Sequence, residues 1–136
     1  YFIKKYLYPI PCKLGPLIVN HVNSMKDISD GLIGDLTDML NNKYGALINV
    51  NKIPLSTNTK KILNMSNNFK LENLLNAGDD YGLIIISNQK NRNKIFSIAK
   101  NNNVKISFVG KIIREKGIHF DSHLDIENIK KFDHFS

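Results

Sequence analysis

Ser24-Met25-Lys26-Asp27-Ile28-Ser29-Asp30-Gly31-Leu32-Ile33-Gly34-Asp35-Leu36-Thr37-Asp38-Met39-Leu40 is the stretch that decides how this chain folds. Ser24 to Ile28 is a short strand candidate. Leu32, Ile33, Leu36, Met39 and Leu40 recur at helical spacing and mark one apolar face. The stretch is therefore a strand that delivers Asp27 to a junction and a helix that leaves it. Asp35 and Asp38 fall largely on the other faces of that helix. Asp35 reads most simply as a surface residue near the helix start, outside any site. The junction itself carries Asp27, Ser29, Asp30 and Gly31. Two close carboxylates repel each other unless a cation sits between them. A helix N-terminus suits a phosphate or a carboxylate. The junction thus has the makings of a site that holds phosphate oxygens through magnesium, which takes one or two protein carboxylates and leaves its other positions to water and phosphate. The plain alternative is helix capping, for which Ser and Asp are common and no ligand is needed.

Working outward, Tyr44-Gly45 closes the helix, with Gly45 suited to a left-handed C-cap. Ala46 to Asn51 is an imperfectly alternating strand. Pro54-Leu55-Ser56 is a loop, followed by helices near Thr57 to Met65 and Leu71 to Asn76. Ala77-Gly78-Asp79-Asp80 is a turn into the continuous apolar run Tyr81 to Ile86, which predicts a strand central in a sheet. Asn91 to Asn102 is a helix, and Val104 to Ile113 gives one or two strands broken around Gly110. Glu115-Lys116-Gly117 turns into Ile118-His119-Phe120, and Ile126 to Ser136 holds a short helical stretch. Towards the N-terminus, Leu14, Leu17, Ile18 and Val22 have helical spacing, with Pro16 in the first turn. Before them Pro9 and Pro11 block helix, so residues 1–13 read as an extended arm or linker. The irregular alternation of strands and helices predicts an α+β domain, a mixed sheet covered by helices.

The 136 residues amount to one domain by length. The chain begins at Tyr1 rather than Met, and the expectation is a fragment or processed product. No apolar run approaches the length of a membrane span. The single Cys12 excludes an internal disulfide and fits a reducing cytoplasm. The four His show no ligand spacing. A net charge of +7 admits a nucleic-acid surface. However, aromatic residues do not interleave with the basic clusters Lys60-Lys61, Arg92-Asn93-Lys94, Lys111 to Lys116 and Lys130-Lys131, as a single-strand platform needs. The reading is therefore solvated lysines and a positive field that favours anionic substrates such as nucleotides, without nucleic acid or membrane as partner.

Two further motifs carry polar or aromatic groups. Gly78-Asp79-Asp80-Tyr81 is an Asx-type turn by pattern, or a holder for a cationic or hydrogen-bonding substrate. Phe132-Asp133-His134-Phe135 is a hydrophobic anchor, or an aromatic platform for a flat ring. There is no Walker-type loop, no protein-kinase signature set and no nucleophile triad.

At these residues the chain resembles the C-terminal domain of the thiamine-monophosphate kinase family, in the aminoimidazole-ribonucleotide-synthetase-like superfamily. The resemblance runs in order through Tyr6-Leu7-Tyr8-Pro9-Ile10-Pro11 with Leu14-Gly15, Met25 to Leu36, Ala77-Gly78-Asp79-Asp80-Tyr81, Val109-Gly110-Lys111-Ile112 and Phe132-Asp133-His134-Phe135. It implies that residues 14–136 form a synthetase-like C-terminal α+β domain, and that 1–13 lead from an N-terminal ATP-binding domain absent from this chain. It implies a magnesium-dependent transfer of the ATP γ-phosphate to thiamine monophosphate, in a cytoplasmic enzyme that is homodimeric at full length. Asp27 and Asp30 would bind magnesium as the catalytic carboxylates, and Ser29 would contact ATP. Asp79 would hold part of the thiamine, and Phe132 would stack on it. This chain alone would be inactive. Three positions depart from the family pattern: Asp79 replaces a Glu, Gly82 stands where a Glu often follows the Tyr, and Lys26 stands where an apolar residue is usual. The alternatives are another ATP-dependent enzyme of the superfamily, or a non-catalytic basic binding module.

Overall fold

Each described element follows from a local signal. A computed structural model describes residues 12–65, 70–76 and 82–122. Residues 1–11 of the expected arm over 1–13, the turn at 77–80 and the helical tail fall outside those residues. The chain divides into two compact units, residues 1–29 with 79–106 and residues 30–78 with 107–136. It has the mixed α and β elements that the sequence predicts.

In the first unit, Pro16 occupies the first turn of a short helix, α1 (Gly15–Ile18). β1 (Ser24–Asp27) pairs antiparallel with β3 (Leu83–Ile86), in the register Ser24↔Ile86 to Asp27↔Leu83. Among the described residues β3 has β1 as its one partner, where the apolar run predicts a central strand. The apolar run serves helix packing instead. Ile85 packs against a core built from Leu14 and Ile18 together with Ile95 and Ala99 of α5 (Arg92–Asn101). α1 lies on the ribbon, and a Cβ at Gly15 would stand 3.8 and 3.9 Å from Met25 Sδ and Leu83 Cδ2, at ordinary contact distance. The His21 carbonyl accepts from Ser87 Oγ and Asn91 Nδ2, both at 2.9 Å, tying the approach to β1 to the approach to α5.

The second unit opens with α2 (Leu32–Leu40), whose Leu36 and Leu40 are buried. Asn41, at φ 47°, is its left-handed cap, rather than Gly45. Asn tolerates that conformation because its short polar side chain can bond locally. Gly45 instead begins β2 (Gly45–Ile48). After a loop, Ser56 Oγ accepts the Thr59 amide at 3.1 Å and starts α3 (Thr57–Met65). α4 (Leu71–Leu75) follows, and Asn73 Oδ1 accepts the amide of Lys70 before it.

The sheet of this unit runs β4-β2-β5, with β4 (Gly110–Ile113) antiparallel and β5 (Gly117–Phe120) parallel to β2. β4 and β5 are joined by Arg114, Glu115 and Lys116, yet β2 lies between them. The connection therefore passes over the start of β2, and a Cβ at Gly45 would collide with the carbonyl oxygens of Glu115 and Gly117. This close approach is the reason for glycine at 45. α2 packs against β5. Residues 104–109 form no strand, so the stretch expected to give one or two gives only β4. Among the described residues no helix is long and apolar enough to cross a membrane.

Candidate functional site

The junction has the predicted form: a strand ends at Asp27, and a helix begins at Leu32. Asp27 is exposed at the end of β1, where it shares a strand face with Met25. The next amide, Ile28 N–H, still pairs with the Gly82 carbonyl at 3.0 Å. Ser29 and Asp30 are both half-buried.

The capping alternative does not describe this turn. The N-cap of α2 is Gly31, at φ 86° and ψ 157°, with no side-chain cap. Neither Ser29 nor Asp30 occupies the cap position. The helix start is fastened by Asp35. Its Oδ2 accepts the Asp30 amide at 2.9 Å, and its own amide donates to the Gly31 carbonyl at 3.0 Å. This is the reciprocal logic of a capping box, in which a side chain of the first turn reaches back to an amide before the helix.

Asp35 is 0% exposed, which corrects the expectation of a surface residue outside the site. The signal was in the spacing. Gly31, Asp35 and Met39 form one i, i+4 row, adjacent to the row of Leu32, Leu36 and Leu40. A face that takes Met39 inward takes Asp35 inward as well. One carboxylate oxygen from each of Asp30, Asp35 and Asp38 lies within 4.8 Å of the others. Asp38 is exposed, so the cluster grades from a buried carboxylate to one in solvent. Carboxylate oxygens are the hard donors that magnesium and calcium take from a protein, and this group could hold such an ion. Asp79 and Phe132 lie outside the described residues.

Residues 5–122 match the family model of the AIR synthase related protein, C-terminal domain. The chain belongs to that family. A curated thiamine-monophosphate kinase from Buchnera aphidicola subsp. Schizaphis graminum (strain Sg) is 40% identical over 149 aligned positions, covering 99% of this chain and 43% of that protein. The chain thus spans less than half the length of that relative. The crystal structure of thiamine-monophosphate kinase from Stenotrophomonas maltophilia K279a is similar in fold, with TM-score 0.75 and 24% identity over 87% of this chain and 37% of that one. A structure of AaThiL complexed with AMPPCP and TMP is similar at TM-score 0.71 and 22% identity, over 96% of this chain and 38% of that one. The family membership bears out the resemblance read from the motifs.

Proposed function

We propose that the protein containing this chain is a thiamine-monophosphate kinase, and that this chain is its C-terminal domain. The observation that carries the reading is the 40% identity to a curated kinase of that name across 99% of the chain. The nucleotide analogue and TMP named in the AaThiL complex support the same substrates. The partner domain is an N-terminal ATP-binding domain of the same protein, which acts as a cytoplasmic homodimer. This chain by itself has no kinase activity.

In the reaction, the bond from the γ-phosphorus of ATP to its bridging oxygen breaks. A new bond forms from that phosphorus to a phosphate oxygen of thiamine monophosphate, and ADP leaves. Such transfers depend mainly on positioning and charge neutralisation, with little covalent work for the protein. Asp27 and Asp30 are the magnesium-holding carboxylates of this chain, and the oxygen donors suit that ion. Magnesium, when bound, neutralises phosphate charge. Ser29 supplies a hydroxyl to ATP. The Asp35 brace on the Asp30 amide holds the turn against the start of α2. Asp79 holds part of the thiamine, with a reach one methylene shorter than Glu, and Phe132 stacks on the ring.

The full-length protein, incubated with ATP, magnesium and thiamine monophosphate, is expected to yield thiamine diphosphate. Asp30→Asn should lower the rate at least about a hundredfold with circular dichroism unchanged, as loss of a transition-state charge partner does. A folded protein that forms no product in magnesium refutes the kinase reading.

A further inference from the structure

Of the 8 glycines in the chain, Gly31 alone follows an aspartate or an asparagine. That pairing is chemically fragile. The backbone nitrogen after an aspartate can attack the side-chain carboxyl carbon and close a five-membered ring. A Cβ on the following residue hinders the approach, and glycine has none. Replacing the glycine would remove the hazard, but the turn forbids it. Gly31 stands at φ 86°, a conformation that a side chain disfavours. A Cβ there would also lie 2.8 Å from the carbonyl carbon of Asn76 and 2.9 Å from its Cα and oxygen, well inside ordinary contact. The turn therefore requires, directly after Asp30, the residue type that leaves Asp30 most open to attack.

The same turn withholds the motion that the reaction needs. Ring closure swings the Asp30–Gly31 peptide until the Gly31 nitrogen faces Cγ of Asp30. Asp35 holds that peptide from both ends. Its Oδ2 accepts the Asp30 amide at 2.9 Å, and its own amide donates to the Gly31 carbonyl at 3.0 Å. Gly31 is itself buried, against the Asn76 backbone. We propose that Asp30 is a site of spontaneous isomerisation to isoaspartate, and that Asp35 is the guard that keeps the reaction slow. In the first step the Gly31 nitrogen bonds to Cγ of the protonated carboxyl, the bond from Cγ to its hydroxyl breaks, and water leaves with the amide proton. A second water then opens the ring. Addition at Cγ restores aspartate. Addition at the main-chain carbonyl carbon breaks its bond to nitrogen and gives isoaspartate, whose main chain runs through Cβ and Cγ. One methylene is thereby inserted between the Asp30 amide and the Gly31 carbonyl. Those are the two groups that Asp35 spans, so the brace cannot close on both at their former separation. This chemistry stands independently of the kinase reading.

The test incubates the full-length protein at neutral pH, folded and, in parallel, in guanidinium chloride. The tryptic peptide 27–43 is then sorted into aspartyl and isoaspartyl forms by chromatography and electron-transfer fragmentation. In denaturant the isomer should accumulate at Asp30 ahead of Asp27, Asp35 and Asp38, which precede Ile28, Leu36 and Met39. The folded wild type should form it more than about 30-fold more slowly, because the brace and the Asn76 contact both have to open first. Where reclosing outruns reaction, the rate follows the population of the open turn. Asp35→Ala should therefore raise the folded rate about 30-fold, in step with exchange of the Asp30 amide, and Asp35→Asn should leave it near wild type. Isomer that does not concentrate at Asp30 in denaturant, equal rates in folded and denatured wild type, or faster Asp30 amide exchange in Asp35→Ala without faster isomerisation overturns the proposal. Should Asp35→Ala fail to fold, the wild type in guanidinium below its unfolding transition gives the same reading. Isomerisation must then rise in proportion to Asp30 amide exchange, and a flat rate overturns the proposal.

Discussion

Removing the Asp35 carboxylate should free the turn that carries Asp30. Asp35 is fully buried, and its Oδ2 accepts the Asp30 amide at 2.9 Å. A hydrogen bond to an ionised acceptor contributes about 1.5–3 kcal/mol to stability. Against this, Asp35 shares a 4.8 Å neighbourhood with Asp30 and Asp38, and like charges at that range repel. The net loss in Asp35→Ala is therefore taken near the low end, about 2 kcal/mol. Asp35→Asn keeps an acceptor of the same shape and removes the repulsion, so it should stay within about 0.5 kcal/mol of wild type. Native-state hydrogen exchange reads the bond directly. In Asp35→Ala the Asp30 amide should exchange about 30-fold faster, which corresponds to ~2 kcal/mol. In Asp35→Asn it should be nearly as protected as in wild type. Unchanged protection in the Ala variant would show that Asp35 does not hold the turn. Equal losses in both variants would show that the charge matters rather than the acceptor.

Three further substitutions test the packing of the units. Ile18→Ala empties a site that is 0% exposed in the core of the first unit, and should cost about 3–4 kcal/mol in urea unfolding. A loss under about 1 kcal/mol would mean that the α1–α5 contact is not the core of that unit. Gly45→Ala places a methyl group against the carbonyls of Glu115 and Gly117 and should abolish amide protection along β2. Gly15→Ala, where the neighbouring side-chain atoms stand at ordinary contact distance, should be tolerated or slightly stabilising. Similar behaviour in the two variants would refute the close crossing over β2.

Much of the framework was legible because its signals are local. α2 and α3 lie where apolar spacing and the loop before Thr57 put them, and β1 covers Ser24–Asp27 of the expected Ser24 to Ile28. What escaped depended on partners far along the chain. β3 reads as a central strand because all of it is apolar, but among the described residues it pairs with β1 alone, and its Ile85 packs against the α1–α5 core. Gly45 looks like a helix cap in sequence because a Gly after a helix usually is one. Its real constraint comes from residues 115 and 117. At the site, the residue types at the junction announced themselves, and the brace did not. Asp35 reads as a surface residue near the helix start, although its i, i+4 relation to Met39 puts it on the inward side. The Asn76 approach to Gly31 leaves no trace in the sequence beyond the glycine itself.

The course of the strap over β2 bears on the order in which the polypeptide matures on the ribosome. β2 finds both its neighbours in residues 110–120, more than sixty positions downstream. Until that stretch has left the exit tunnel, Gly45 to Ile48 has neither flank, and α2 lacks the β5 surface on which it packs. The first unit waits in the same way, since β1 pairs with residues 83–86. Closure of distant segments is slow, because loop entropy must be overcome before any pairing rewards it. The aspartates of the junction are therefore translated well before the strands that flank them are complete. A nascent chain stalled before β5 carries every residue of the junction but lacks the strand against which α2 packs.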